Sequence, residues 1–298
     1  MKKRIDILGA NMDFGASKRG VNLGPKALRF AGLCEGIESL GYEYRDLGNL
    51  DPLPCGKSLP SMRNYEQVVE MNRRIYESTL KSLQDGAFPL LLGGDHSVAA
   101  GSVSAVAKFH EGQKIGLIWV DAHGDWNDET STDTGNMHGM PFSAVCGAGP
   151  DIMVDYGQGP VFVDPAKCVQ IAGRMFDKEE IVRMKEAGIT VLSIDVIDRM
   201  GILAVMNKAI EIAGSGTAGI HLSFDIDSVT PESAPGTGTT VHSGLTVREA
   251  FTTVEILADS GKVISMDIVE VNPILDEKNR TAQLASEIVL STLGKKVF

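Results

Sequence analysis

Cysteine is scarce in this sequence. Cys34, Cys55, Cys146 and Cys168 are scattered through 298 residues without a single Cys-x-x-Cys pair. That argues against a thiolate zinc site or a disulfide framework, and leaves reduced, mostly buried thiols as the expectation. Long hydrophobic runs are missing too: no apolar stretch approaches the roughly 20 residues that span a bilayer. The charged start MKKR precedes too short an apolar run for a signal peptide, so a soluble, cytoplasmic protein with no membrane partner is expected. Positive charge is in short supply, with 28 Lys and Arg against 39 Asp and Glu and a net charge of −11. No basic stripe offsets it, which excludes nucleic acid as an expected partner. Part of that negative charge becomes nominal if acidic residues ligate cations. With no Ser/Pro/Gly-rich linker, repeat or low-complexity tract, residues 1–298 read as a single domain.

What is present is a recurrence of apolar runs separated by helical patterns, the signature of a mainly parallel sheet with crossover helices. The clearest strand candidates are RIDILGA, FPLLLGG, IGLIWVDAH, VFVDPAKCVQIAG, GIHLSFDID and GKVISMDIVEVNP. Between them, NYEQVVEMNRRIYESTLKSLQDG places Val68, Val69, Met71, Ile75, Leu80 and Leu83 close to helical spacing and closes on Gly86. DKEEIVRMKEAG opens on Asp177 as an N-cap and stops at Gly188.

Three strand ends carry acid or imidazole. After FPLLL comes GGDHS, where two glycines permit a tight turn and Ser97 can begin the next helix. After IGLIWV come Asp121, His123 and Asp125, which an extended backbone would point to one side like a three-toothed comb. After GIHLSF come Asp225 and Asp227, again two apart. A lone Asp-x-His or Asp-x-Asp reads equally as a solvated turn. Three such motifs at strand ends, where open α/β sheets bind ligands, point instead to a shared site. His96, Asp121, His123, Asp125, Asp225 and Asp227 are more donors than one ion uses comfortably. Two divalent ions bridged by carboxylates can use them, and oxygen-dominated sites with some imidazole suit Mn²⁺. Such a pair lowers the pKa of water and clamps the group under attack.

Taken with TGNMHGMP, HLSFDIDSVTPESAPGTGT, SGLTVREA, EVNPILDEKNRTAQLA and the early GASKRGVNLGPKALR, these segments resemble the ureohydrolase family over nearly the whole chain, and its arginase branch most. The resemblance implies a three-layer α/β/α fold and two Mn²⁺ per subunit. The implied reaction is hydrolysis of L-arginine to L-ornithine and urea by a metal-bridging hydroxide. It assigns His96, Asp121, Asp125 and Asp225 to one ion and His123, Asp121, Asp225 and Asp227 to the other. Asp125 also counts among the catalytic residues, with Glu270 as the guanidinium-binding acid and His138 as the proton shuttle; a surface salt bridge and a buried structural histidine are their alternatives.

Asn127, Thr134, Asn136 and Thr239 are implied at the substrate, and Asp177 and Glu180 near its amino group, although both acids also suit a helix start. His221 is expected to pack into its strand, and His110 and His242 to be exposed or capping. The chain departs from the family pattern at Thr134, where a serine is common, at Thr230, where an acid is common, and in DKEE, which lacks a glycine between the two acids. These departures bear on specificity. The alternatives are a guanidino hydrolase of the agmatinase or guanidinobutyrase type, or a silent metal-binding homologue. A homo-oligomer, trimer or hexamer, is expected by resemblance.

Overall fold

Eight strands run parallel in one sheet in the computed structural model, which describes residues 3–296. They are β1 (Ile5–Ala10), β2 (Tyr44–Leu50), β3 (Phe88–Leu92), β4 (Gly116–Val120), β5 (Cys168–Ile171), β6 (Thr190–Leu192), β7 (Ile220–Asp225) and β8 (Val263–Val269). Their order across the sheet is β2-β1-β3-β8-β7-β4-β5-β6. β1, β3, β4, β5 and β7 are buried along their whole length. Burial on both faces is why β3 and β4 read as continuous apolar runs, whereas β1, β5 and β7 enclose buried polar side chains at Asp6, Gln170, His221 and Ser223.

Alternate residues of the buried strands feed two separate cores. Ile5, Ile7, Ile118, Leu222 and Phe224 pack with Leu28, Ile37, Val205, Ala250, Val254 and Ile288 on one face. Leu8, Leu91, Leu117 and Trp119 pack with Val68, Met71, Ile75, Val103, Phe142 and Met184 on the other. The result is the expected three-layer α/β/α sandwich, with helices Ala99–Phe109 and Tyr65–Gln84 on the second face. Both helix stops fall where expected, since Gly86 and Gly188 adopt the left-handed conformation that ends a helix without a Cβ clash.

The structure corrects several local expectations. β2 and β6 have no counterpart among the expected strands. β2 is a polar edge strand with five exposed residues, and β6 has only three residues. Of the run 161–173 only Cys168–Ile171 is strand, because Pro165 opens a 3-10 turn over Pro165–Lys167. Ser97 does not start its helix. Asp95 caps the turn His96–Val98, accepting the Ser97 N–H, and helix Ala99–Phe109 continues from there. The glycine before that cap is needed for space rather than for a turn conformation: a Cβ on Gly94 would lie 1.8 Å from the Met12 carbonyl oxygen.

The strand order places β3, β8, β7 and β4 side by side at the centre of the sheet. His96, Glu270, Asp225 and Asp121 lie at or just beyond their carboxyl ends, on the same edge of the sheet.

Candidate active site

Each of these side chains is aimed by a turn that the sequence makes immediately after its strand. β4 ends at Val120, and the Asp121 carboxylate then accepts the His123 N–H at 2.7 Å, which folds the chain back on itself. After β7, the Asp225 carboxylate accepts the Asp227 N–H at 2.7 Å and starts the 3-10 turn Ile226–Ser228. Asp125 sits at φ +50°, where an L-residue is strained. The extended comb expected over residues 121–125 is therefore not formed. Tight Asx-type turns and a left-handed residue bring the same side chains together by another route.

His96 lies at the centre of the convergence. Its Nδ1 is 2.9 Å from Asp121 Oδ2, 3.0 Å from Asp125 Oδ2 and 3.2 Å from Asp225 Oδ2. Among the described residues, neither His96 Nδ1 nor Asp125 Oδ2 has a hydrogen-bond partner of sound geometry, although both are buried. The ring's other nitrogen, Nε2, lies 2.9 Å from Ser223 Oγ. With that nitrogen carrying the proton, Nδ1 presents a lone pair toward three carboxylate oxygens. Indole stacking fixes the plane of the ring: Trp119 lies 4.1 Å away at 12°, and its Nε1 donates to Asp121 Oδ2. A second cluster adjoins the first, with His123 Nδ1 3.0 Å from Asp227 Oδ2 and 3.4 Å from Asp121 Oδ1. Asp121 belongs to both.

Burial and mutual repulsion perturb the carboxyl groups of the cluster. Burial, followed by the charge of Asp121, pushes the Asp125 carboxyl up to about 6. Burial and then the charge of Asp227 push Asp225 well above the usual range. Buried donors that repel one another and leave lone pairs unmatched are what hard divalent cations neutralise, so the residues present fit such ions. Two groups, His96–Asp121–Asp225 and Asp121–His123–Asp227, have donor atoms close enough together to hold an ion.

A cavity of about 260 Å³ opens on this cluster, lined by His96, His123, Asp125 and Asp225 at its floor. Asn127, Thr134, Asn136, His138, Asp177, Glu180 and Thr239 line it as well. Glu270 does not. It stands behind His138 at φ +61°, and its Oε1 accepts the His96 N–H at 2.9 Å and lies 2.9 Å from His138 Nδ1. Burial opposes charge on His138, but Glu270 and then Asp95 and Asp125 carry its imidazole up to about 9.

Several of the polar side chains already have partners. Asn127 donates to Asp177 Oδ2 and accepts from Ser131 Oγ, Thr134 Oγ1 accepts the Asn136 N–H, and Thr239 Oγ1 donates to Asp227 Oδ2. Glu180 Oε2 accepts the Asp177 N–H while Oε1 accepts the Trp126 N–H, so this pair both starts helix Lys178–Ala187 and borders the cavity. Burial, opposed by the Trp126 N–H and aided by the charge of Asp125, raises Glu180 to about 7. His221 is fully buried in β7, His110 caps helix Ala99–Phe109 and His242 is exposed, as expected.

Sequence reasoning missed Ser223, which holds His96, and Asp95, which binds Gly15 N–H and Ser97. It also missed Thr132, Asp133 and Met175 at the cavity wall. Ser223 stands two residues before Asp225, on the face of β7 that reaches the cluster, and that spacing is the one signal that could have found it.

The model of the Arginase family matches residues 3–294. An arginase of Bacillus caldovelox is 40% identical over 99% of this chain and 100% of its own length. The crystal structure of arginase from Bacillus cereus superposes with a TM-score of 0.93 at 41% identity, covering 99% of this chain and 100% of that one. A hypothetical agmatinase from Burkholderia thailandensis is more distant, with a TM-score of 0.74 at 28% identity over 97% of this chain and 84% of that one.

Proposed function

The chain belongs to the arginase family, and we propose that it hydrolyses the guanidinium group of L-arginine to L-ornithine and urea. The observation that carries the reading is the convergence of three carboxylate oxygens on the unpartnered Nδ1 of His96 beneath a cavity. In this reading His96, Asp121, Asp125 and Asp225 hold one Mn²⁺, and His123, Asp121, Asp225 and Asp227 a second. When bound, the ions supply Lewis acidity, making water acidic enough to ionise near neutral pH.

The chain's own residues perform the remaining tasks. Asp133, Asp177 and Glu180 give the cavity wall a carboxylate character, and among the described residues no Lys or Arg lines it, which suits a cationic substrate. Glu270, the proposed guanidinium-binding acid, commits Oε1 to His96 and His138 behind the cavity wall and keeps Oε2 uncommitted, so a guanidinium would meet it past His138. His138 holds its proton firmly beside Glu270 and can pass one from Nε2 to the departing amine. The second amide hydrogen of Asn127, with Asn136 and Thr134, can receive the α-carboxylate, and Asp177 the α-ammonium. Thr239 borders the same space while holding Asp227.

One observation favours a second reading. Asp133 would repel a carboxylate at the cavity wall, which suits agmatine, a substrate with none, better than arginine. Urea release from arginine, agmatine, guanidinobutyrate and guanidinopropionate by the manganese-loaded protein decides between them. The first reading expects kcat/KM for arginine to exceed that for agmatine by at least about 100-fold, or about 2.7 kcal/mol. Comparable or faster release from agmatine or guanidinobutyrate overturns it, and no urea from any of the four overturns the hydrolase reading. A cytoplasmic location and a trimer or hexamer complete the proposal. Light scattering in solution tests the assembly.

A further inference from the structure

Two of the four thiols lie outside the candidate site and against each other. Cys146 Sγ and Cys168 Sγ are 3.7 Å apart, and both residues are buried, in contrast to exposed Cys55 and half-buried Cys34. Cys168 is the first residue of β5 and is held in register opposite Leu117, so its position is set by the sheet. Cys146 follows the short helix Pro141–Val145 and precedes Gly147, which sits at φ +75°, so the chain on its far side is a turn rather than a packed element. Cys146 also lines a surface pocket of about 310 Å³ bordered by Lys114, Val161, Phe162 and Asp164. One sulfur is therefore anchored and deep, while the other borders space that a small molecule can enter.

We propose that Cys146 and Cys168 form a modification site for a small two-electron oxidant of the peroxide class, which converts the dithiol to a disulfide. The sulfurs must approach by about 1.7 Å to reach the bonded distance near ~2.05 Å, a displacement that the turn at Cys146 and Gly147 can supply. The Cys146 thiolate attacks one peroxide oxygen. The O–O bond breaks, sulfur keeps that oxygen as a sulfenic acid, and the second oxygen leaves as hydroxide that takes up the Cys146 proton to become water. Cys168 sulfur then attacks the sulfenic sulfur. The S–S bond forms, the S–O bond breaks, and the departing hydroxide takes the Cys168 proton as a second water. Two thiols are oxidised by two electrons and one peroxide is reduced to two waters.

The cross-link would tie β5 to the end of helix Pro141–Val145, which is hydrogen-bonded to the loop carrying Asp125 and Asn127. Ser143, three residues before Cys146, donates its N–H to Asp125 O and its Oγ to Asn127 O.

The test treats the full-length protein with hydrogen peroxide, alkylates remaining thiols and maps peptides by mass spectrometry. Expected is a peptide pair joining Cys146 to Cys168, lighter by two hydrogens than the free peptides and separated by dithiothreitol. In Cys168→Ser the pair should be lost and Cys146 should accumulate as sulfenic or sulfinic acid. Exposed Cys55 is the internal control for oxidant delivery. If Cys55 is oxidised while both Cys146 and Cys168 remain alkylatable, the proposal fails. It fails equally if Cys146 in the parent chain ends as sulfinic acid with Cys168 unmodified.

Discussion

Glu270→Gln removes one negative charge from behind His138 while keeping the size of the side chain, and the result is read on the imidazole. His138 Nδ1 is 2.9 Å from Glu270 Oε1, with the two side chains 16% and 2% exposed. Burial alone would depress the imidazole, so the rise to about 9 is the work of its carboxylate neighbours, with Glu270 first among them. Relative to an unperturbed histidine near ~6.5, that rise is about 3 kcal/mol of proton affinity. Asp95 and Asp125 remain in the variant, so the value should fall to below about 8 while part of the carboxylate contribution is kept.

NMR titration of the chelator-treated protein and its variant measures this directly. Stability follows with a definite sign. From about 6.5 to about 9 the folded chain keeps a proton that the unfolded chain has released, so the parent loses stability as pH rises through that window and keeps all of the contribution below it. Glu270→Gln should flatten that slope. An imidazole that titrates identically in parent and variant, or near the ordinary value in the parent, would refute the argument.

His123→Asn and Asp227→Asn should each lower metal content from two ions toward one and cut turnover steeply; elemental analysis showing two tightly held ions at near-native rates would remove both from the ligand set. His138→Asn should cost roughly 10- to 10⁴-fold in turnover with metal content unchanged, and an unaltered pH–rate profile would make that histidine structural. Phe142→Ala opens a cavity beneath Trp119, whose ring it stacks at 4.8 Å, and beside Trp126. The expected loss is about 3–5 kcal/mol in denaturant unfolding, and a loss below about 1 kcal/mol would show that the layer under His96 collapses without cost.

The parts of this molecule that a single sequence discloses are those whose cause is local. β3 and β4 are legible because burial on both faces demands uninterrupted apolar residues, β1 and β7 because apolar residues still dominate them, and the acids at or after the ends of β3, β4 and β7 are legible because they break that demand abruptly. β2 is not, because its pairing to β1 is fixed by long-range contacts. Asp6, on β1, receives both Arg4 and Arg45, a juxtaposition that forms only once the strands lie side by side. The site divides along the same line. His96, Asp121, His123, Asp125, Asp225 and Asp227 carry their chemistry in their type, so their convergence can be anticipated without their backbone path. The path itself could not be, since φ +50° at Asp125 is set by the neighbours that enclose it, including Ser143 N–H on the Asp125 carbonyl. Ser223 is the sharper case. A serine in an apolar strand has no message of its own, yet at 2.9 Å from His96 Nε2 it can accept a hydrogen bond from that nitrogen, which leaves Nδ1 to face the carboxylates. The same logic applies to Glu270, whose side chain points at His138 rather than into the cavity. Its charge therefore acts on the imidazole whether or not substrate is present, and the substrate would meet the two as a unit.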